Sequence, residues 1–292
     1  MALTATRSRV VMQPITAEER HRAGEFLHAN LNARVTPDDW VQALRVPWDV
    51  EQPNHGFMLF DGDDVVGVQL AFYSERELRG RTQSVCNLGA WCVLPAHRLH
   101  ALRLPKAVLA QDVDLFTDLS PSGSVLTVNE RLGFRFLDTA TSLLPNLPWP
   151  SPRRRERVSA EPARIMSALH GRELEIFLDH VAAPAAHQLL LEDGAEHCLV
   201  VFRTDRRRSL PRLASLVYVG NPALFHRMTG PFGSHLLLQH GLPATLVDDH
   251  LVGRPPRGSI RVHWSRRRMF RSESIDPADV DYLYSELVCV PW

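Results

Sequence analysis

The sequence predicts an α/β (α+β) chain of two similar halves, each a mixed, mostly antiparallel sheet flanked by helices. Three observations carry this. Residues 56–60 and 65–73 are apolar runs joined by Asp61-Gly62-Asp63-Asp64, a short acidic turn of hairpin type. Residues 83–94 are rich in strand formers, stop at Pro95, which cannot donate to a ladder, and lead into apolar residues at helical spacing. A hairpin (198–219), a break at Gly220-Asn221-Pro222 and a helix (232–241) then follow in the same order.

Taken in order, Thr16 with Glu18 and Glu19 reads as a helix cap with acids in the first turn, and this helix should turn Ala23, Phe26, Leu27 and Leu31 inward. Thr36-Pro37-Asp38-Asp39 repeats the cue with proline at the first helical position, and the second helix should end before Pro47. After the hairpin, the polar residues 74–81 form the next turn, and the strand ending at Leu94 follows. From His97, Leu99, Leu102, Val108 and Leu109 outline a helix whose first amides and positive dipole end could seat a phosphate; an ordinary crossover with nothing bound has the same pattern. Residues 113–117 are the next strand, and Ser120-Pro121-Ser122-Gly123-Ser124 caps a helix ending near Gly133. Residues 134–137 begin a last strand of this half, continued at Ser142-Leu143-Leu144.

Four prolines between 145 and 152, then Arg153, Arg154, Arg155 and Arg157, mark a boundary. The expected layout is an N-terminal domain over 1–147, a Pro/Arg-rich linker over 148–162 and a C-terminal domain over 163–292. In the second half, residues 165–183 read as one helix. Residues 198–202 and 213–219 form a hairpin around a basic turn from Thr204 to Arg208. Gly241 is the C-terminal stop of the next helix, residues 242–247 return as a strand, and residues 275–284 form a capped helix.

The 292 residues are 45% apolar and 23% charged, a globular balance sufficient for one large or two medium domains. Lys+Arg and Asp+Glu are 33 each, so bulk charge gives no reason to expect nucleic acid as a partner. No apolar run approaches the roughly 20 residues that cross a bilayer, so no membrane insertion is expected. Without an apolar leader, and with Cys86, Cys92, Cys198 and Cys289 in no metal or CxxC spacing, the chain reads as cytoplasmic with reduced cysteines. His226, His235, His240 and His250 include no i, i+4 pair with an acidic third ligand, so no metal is expected.

Val93-Leu94-Pro95-Ala96-His97-Arg98 resembles the V-x-P-x-x-R run that opens the acyl-CoA-binding motif of the GNAT superfamily of N-acyltransferases. There the run continues x-x-G-x-G/A; here those positions are Ala101 and Arg103, whose side chains crowd the backbone where a pyrophosphate would approach. Asn129-Glu130-Arg131-Leu132-Gly133-Phe134 resembles the helix end that closes the same fold, with Asn129 where many members carry a tyrosine general acid. The resemblance spans about residues 10–140. It implies tandem GNAT-like domains, the second a degenerate repeat without this run, and an acetyltransferase or other acyltransferase using acetyl-CoA or another acyl-CoA as co-substrate.

On that resemblance, Arg98, Leu99, His100, Ala101, Leu102 and Arg103 would hold the cofactor, and the backbone N–H groups of Cys92 and Val93 would polarise the thioester carbonyl. Amine acylation also needs a base for the ammonium proton. The strand over 83–94 has no carboxylate, leaving Asn87 as its polar candidate, with His97 in the loop and Asp118 at the end of the next strand. Cys86 or Cys92 as a nucleophile would imply a ping-pong route, although cysteines on buried strands ordinarily serve packing. The expected reaction moves an acyl group to a small-molecule acceptor, most simply an amine, between the halves. Two alternatives stand beside it: a catalytically degenerate GNAT-fold binding or scaffold protein, for which Ala101, Arg103 and Asn129 speak, and an enzyme whose donor is an acyl carrier protein, whose acidity the arginines at 153–157 would suit.

Overall fold

The computed structural model describes residues 10–137, 139–150, 155–207, 210–263 and 267–292. The elements run β1 (Val11–Pro14), α1 (Arg20–Asn30), α2 (Pro37–Ala43), β2 (Gly56–Asp61), β3 (Asp64–Leu78) and β4 (Arg81–Val93). A 3₁₀ helix (Pro95–His100) precedes α3 (Arg103–Leu109), β5 (Leu115–Asp118), α4 (Val125–Arg131), β6 (Arg135–Phe136), β7 (Thr141–Pro145) and β8 (Glu156–Ser159). Then come α5 (Pro162–Ala168), α6 (Gly171–His180), β9 (His187–Asp193), β10 (Glu196–Arg207) and β11 (Leu210–Val219). The chain finishes with α7 (Pro222–Arg227), α8 (Thr229–His240), β12 (Ala244–Asp248), α9 (Asp249–Val252), β13 (Ile260–Val262), β14 (Met269–Arg271), a 3₁₀ turn (Pro277–Asp279) and α10 (Glu286–Cys289).

The described strands make two seven-stranded sheets, in the orders β1-β2-β3-β4-β5-β14-β6 and β13-β7-β12-β11-β10-β9-β8. Each has one parallel pair, β4 with β5 and β11 with β12, reached from an antiparallel hairpin through a helical crossover. The expected mixed, mostly antiparallel sheets flanked by helices are therefore present in both halves. The sheets also exchange strands. Residues 142–144, expected to finish the first half, belong to β7 and pair with β12 and β13 in the second sheet. In return β14 lies between β5 and β6 in the first. The largest buried cluster accordingly joins side chains of both halves, among them Trp40, Phe72, Phe177, Val201, Tyr282 and Val288.

Several local expectations need correction. Thr36 caps α2 with a complete capping box to Asp39. By contrast α1 starts at Arg20 with no side-chain cap, and Leu31, just past its end, is exposed. The turn expected at 74–81 shrinks to Arg79-Gly80, both at positive φ, because β3 continues to Leu78. Ser74 and Arg76 are buried while Glu75 and Glu77 are exposed, so the polar residues keep the strand's two-residue alternation. Arg76 is neutralised by Asp281. The helix expected at 165–183 is broken into α5 and α6 by His170, which is extended, and Gly171 at φ 54°. The capped helix expected at 275–284 is only a 3₁₀ turn, held by Asp276 accepting from the Ala278 N–H. Gly241 closes α8 in the left-handed conformation, as its sequence position suggests. The N-terminal nine residues, Arg153, Arg154 and Arg208 lie outside the described residues.

Candidate active site where the strands part

The β4–β5 pairing covers only Val85, Cys86 and Asn87 against Leu115, Phe116 and Thr117. Beyond Asn87 the strands separate, helped by a bulge in β4 at Gly89 and Ala90, opposite Leu70. A Cβ on Gly89 would lie 2.6 Å from the Phe72 ring, so the bulge tolerates no side chain without repacking. The Leu94 N–H donates to Val66 O on β3. By strand alternation, the Val93 N–H faces the open edge and the Cys92 N–H faces β3.

The C-terminal segment enters this opening. Asn87, 1% exposed, donates to Thr117 Oγ1 (3.1 Å) and accepts from the Glu286 N–H (3.0 Å). Glu286 is fully buried, and neither carboxyl oxygen makes a well-formed hydrogen bond to a described residue. Burial raises its pKa. Asp118, the last residue of β5, accepts from Asn129 Nδ2 at 2.7 Å. Burial first, and the Glu286 charge second, push Asp118 up to about 7. Two carboxyls thus sit where the strands part, one on β5 and one on α10, and Asn129 serves to hold Asp118.

Of the residues expected in chemistry, Asn87 and Asp118 are brought to the same opening. His97 is held elsewhere: its Nε2 lies 3.0 Å from Asp61 Oδ2 on the β2–β3 turn. The helix expected from His97 is the 3₁₀ segment, with Leu99 97% exposed, so the apolar spacing there does not mark a buried face. Its geometry turns amides back onto carbonyls three residues earlier, His97 to Leu94 and Ala101 to Arg98. Among the described residues the amides of Leu102 and Arg103 make no backbone hydrogen bond, and exposed Arg98 makes no ion pair. Arg103 reaches across to Val10 O at 2.9 Å. His100 is half-buried beside these groups. Cys86, Cys198 and Cys289 are buried free thiols, and burial raises all four thiols, Cys92 included, away from the reactive thiolate.

A second opening was not legible in the motifs. The pairing of β11 with β12 stops after Ala214 and Ser215, leaving Leu216 to Val219 without that partner. At this point lies a cavity of about 520 Å³, within the range of small-molecule sites. Its walls come from both halves, including Asn32 and Arg34 from the α1–α2 connection, Leu119 and Leu287. Two arginines stand in it, Arg203 buried and Arg268 partly buried. Arg203 donates to Leu287 O at 2.9 Å and pairs with Asp205, which also accepts from Ser215. Arg268 donates to Asp248 at 2.9 Å and to Leu119 O at 3.0 Å, and lies 3.8 Å over the Tyr282 ring. Burial works against the Arg268 charge, but Asp248 and Tyr282 more than offset it and its pKa is raised. Thr141 also donates to Asp248. The one signal for this site in the sequence is Arg203 and Asp205, two apart on β10 just past its apolar run over 198–202.

The rings of His187, His235 and His240 form a chain with centroids 5.7–5.8 Å apart. Among the described residues no cluster of His, Cys, Asp and Glu has metal-binding geometry, and no helix is long and apolar enough to cross a membrane.

No protein-family model matches the sequence, and no curated protein matches it by sequence. Solved structures do match. The chain resembles a GCN5-related N-acetyltransferase from Anabaena variabilis (12% identity, 90% of this chain and 72% of that one, TM-score 0.57). A GCN5-related N-acetyltransferase from Kribbella flavida is similar at 15% identity over 92% and 72% of the chains, TM-score 0.57. Saccharomyces cerevisiae N-myristoyltransferase, solved with myristoyl-CoA bound, is similar at 10% identity over 99% and 91%, TM-score 0.53. The chain has the GNAT fold. Its two halves are tandem GNAT-like units that share strands.

Proposed function

We propose that the chain is an acyltransferase that moves an acetyl or other acyl group from an acyl-CoA to a small acceptor, with an amine as the nucleophile. The observation that carries this reading is the opening between β4 and β5 in a GNAT fold, with an outward Val93 N–H near the end of one strand and the Asp118 carboxyl at the end of the other. The acyl thioester supplies the electrophilic carbonyl. The Val93 N–H donates to its oxygen as negative charge develops. The amine forms the C–N bond as the C–S bond breaks, and the sulfur leaves as a thiolate that takes its proton from water. Asp118 takes the ammonium proton; a carboxyl poised near neutral pH suits that role better than one fully ionised in water. Asn87 and Asn129 position Thr117, Glu286 and Asp118. Arg98 and the free amides of Leu102 and Arg103 would hold the diphosphate.

The second reading is a GNAT-shaped binding protein without turnover, favoured by the 3₁₀ segment, which uses the His97 and Ala101 amides internally. Calorimetry with acetyl-CoA, a longer acyl-CoA and bare CoA separates binding from no binding. A thiol-release assay with mixed amines then separates turnover from binding, and Asp118→Asn should lower kcat at least a hundredfold with little change in acyl-CoA affinity. Absence of binding at millimolar acyl-CoA removes the CoA-dependent reading. If an acyl carrier protein replaces CoA, its binding should weaken with salt, since Arg155 and Arg157 are the basic residues described near β8. A reducing cytoplasmic setting accords with the four unpaired thiols.

A further inference from the structure

We infer that the cavity at the β11–β12 opening binds an oxyanion, a carboxylate or phosphate group carried by the acceptor. The inference rests on the acyltransferase reading for the word acceptor, and on the cavity alone for the anion.

The charge inventory decides the sign. Among the described residues five arginines line the cavity: Arg34, Arg203, Arg206, Arg212 and Arg268. The acidic side chains described there are Asp205 and Asp248, and both are already committed. Asp205 faces Arg203 and Ser215, and Asp248 faces Arg268 and Thr141. Arg34, Arg206 and Arg212 are exposed at the rim and make no ion pair among the described residues. The surplus is therefore three positive charges around a single concavity. A recess with low-dielectric walls focuses such a field more strongly than the same charges spread on a convex surface.

The source of these arginines argues against a solvated basic face. Arg34 comes from the α1–α2 connection of the first half, while Arg206 and Arg212 come from neighbouring strands of the second. They converge only because the two sheets are interlocked. The floor beneath them is built as well: Arg203 is 3% exposed and its guanidinium is tied to the Leu287 carbonyl. Guanidinium groups arranged around a pocket match the planar or tetrahedral oxygens of carboxylate and phosphate, which accept paired hydrogen bonds. Leu216, Val217 and Leu246 supply an apolar wall for the remainder of the ligand.

Two measurements on the full-length protein test this. Inorganic phosphate and glutamate are titrated separately by calorimetry at fixed ionic strength, into the parent and into Arg34→Glu/Arg212→Glu. Both substituted residues are exposed and hold no described partner, so circular dichroism should report an unchanged fold. The parent should bind at least one of the two anions, and the double variant should bind it at least tenfold more weakly. Equal binding by both proteins, or binding by neither, overturns the inference. In the second measurement, thiol release is compared between ethanolamine, phosphoethanolamine and β-alanine. Preference for phosphoethanolamine or β-alanine, lost in the double variant, supports an anionic acceptor and says which group is read. Preference for ethanolamine overturns it. Anion binding without thiol release from any amine would instead defeat the acyltransferase reading and leave the anion site standing.

Discussion

Replacing Asp118 by asparagine should change how stability depends on pH. The carboxyl rises from 3.8 to about 7 on folding, through burial and then the neighbouring Glu286. Between those values the folded chain keeps a proton that the unfolded chain has released, so stability is highest below pH 4 for this group. It is lost as pH climbs to 7. At about 1.4 kcal/mol per tenfold change in proton affinity, the loss is ~4 kcal/mol. Asparagine cannot ionise, so the stability of Asp118→Asn relative to the parent should improve by ~4 kcal/mol between pH 4 and pH 8. For a chain of this size that is roughly 8 °C in Tm. Disturbing the contact with Asn129 adds a constant offset and leaves the slope of the difference untouched. Urea melts at five pH values across this range measure it. Parallel curves for the two proteins would show that Asp118 titrates as it does in water, and would remove the basis for its role as a base.

Further expectations follow from the packing. His180 is neutral, its Nδ1–H donating to Ile176 O and its Nε2 accepting from the Tyr284 N–H; burial lowers its pKa to about 4. Its contribution is present above 6.5 and lost as pH falls to 4, ~3 kcal/mol that His180→Gln should abolish in acid melts. Gly56 has φ 106° and an added Cβ would stand 2.0 Å from Gln69 O, so Gly56→Ala should lose at least ~3 kcal/mol in denaturant titrations. Ala101→Gly/Arg103→Gly, which clears both crowded positions of the loop, should tighten acyl-CoA about tenfold by calorimetry; unchanged affinity would place the diphosphate elsewhere.

Much of the first half was legible because its signals are local. The acidic turn at 61–64, the stop at Pro95 and the Thr36 capping box act within four or five residues, and each produced its element. The continuation of β3 through Ser74 and Arg76 was hidden because partners far along the chain, Asp281 among them, make a polar run fit to be buried. The same holds for the candidate site. Asn87 and Asp118 stood out as polar residues at strand ends, but Glu286 reaches them only through tertiary folding across 199 residues. His97 looked chemically prominent in the loop and is instead tied to Asp61 on the hairpin turn. The arginine-lined cavity draws on nine separate stretches of chain, and no spacing rule joins Arg34 to Arg212.

The position of β14 has a consequence for biosynthesis. β6 joins its sheet only through β14, so that sheet cannot close until residue 271 has left the ribosome. Until then a nascent chain shows the free edge of β5 to its surroundings, a template for pairing with other chains. Truncations ending before residue 269 should therefore yield aggregates rather than a smaller folded protein, and the cell must shelter this edge for most of translation.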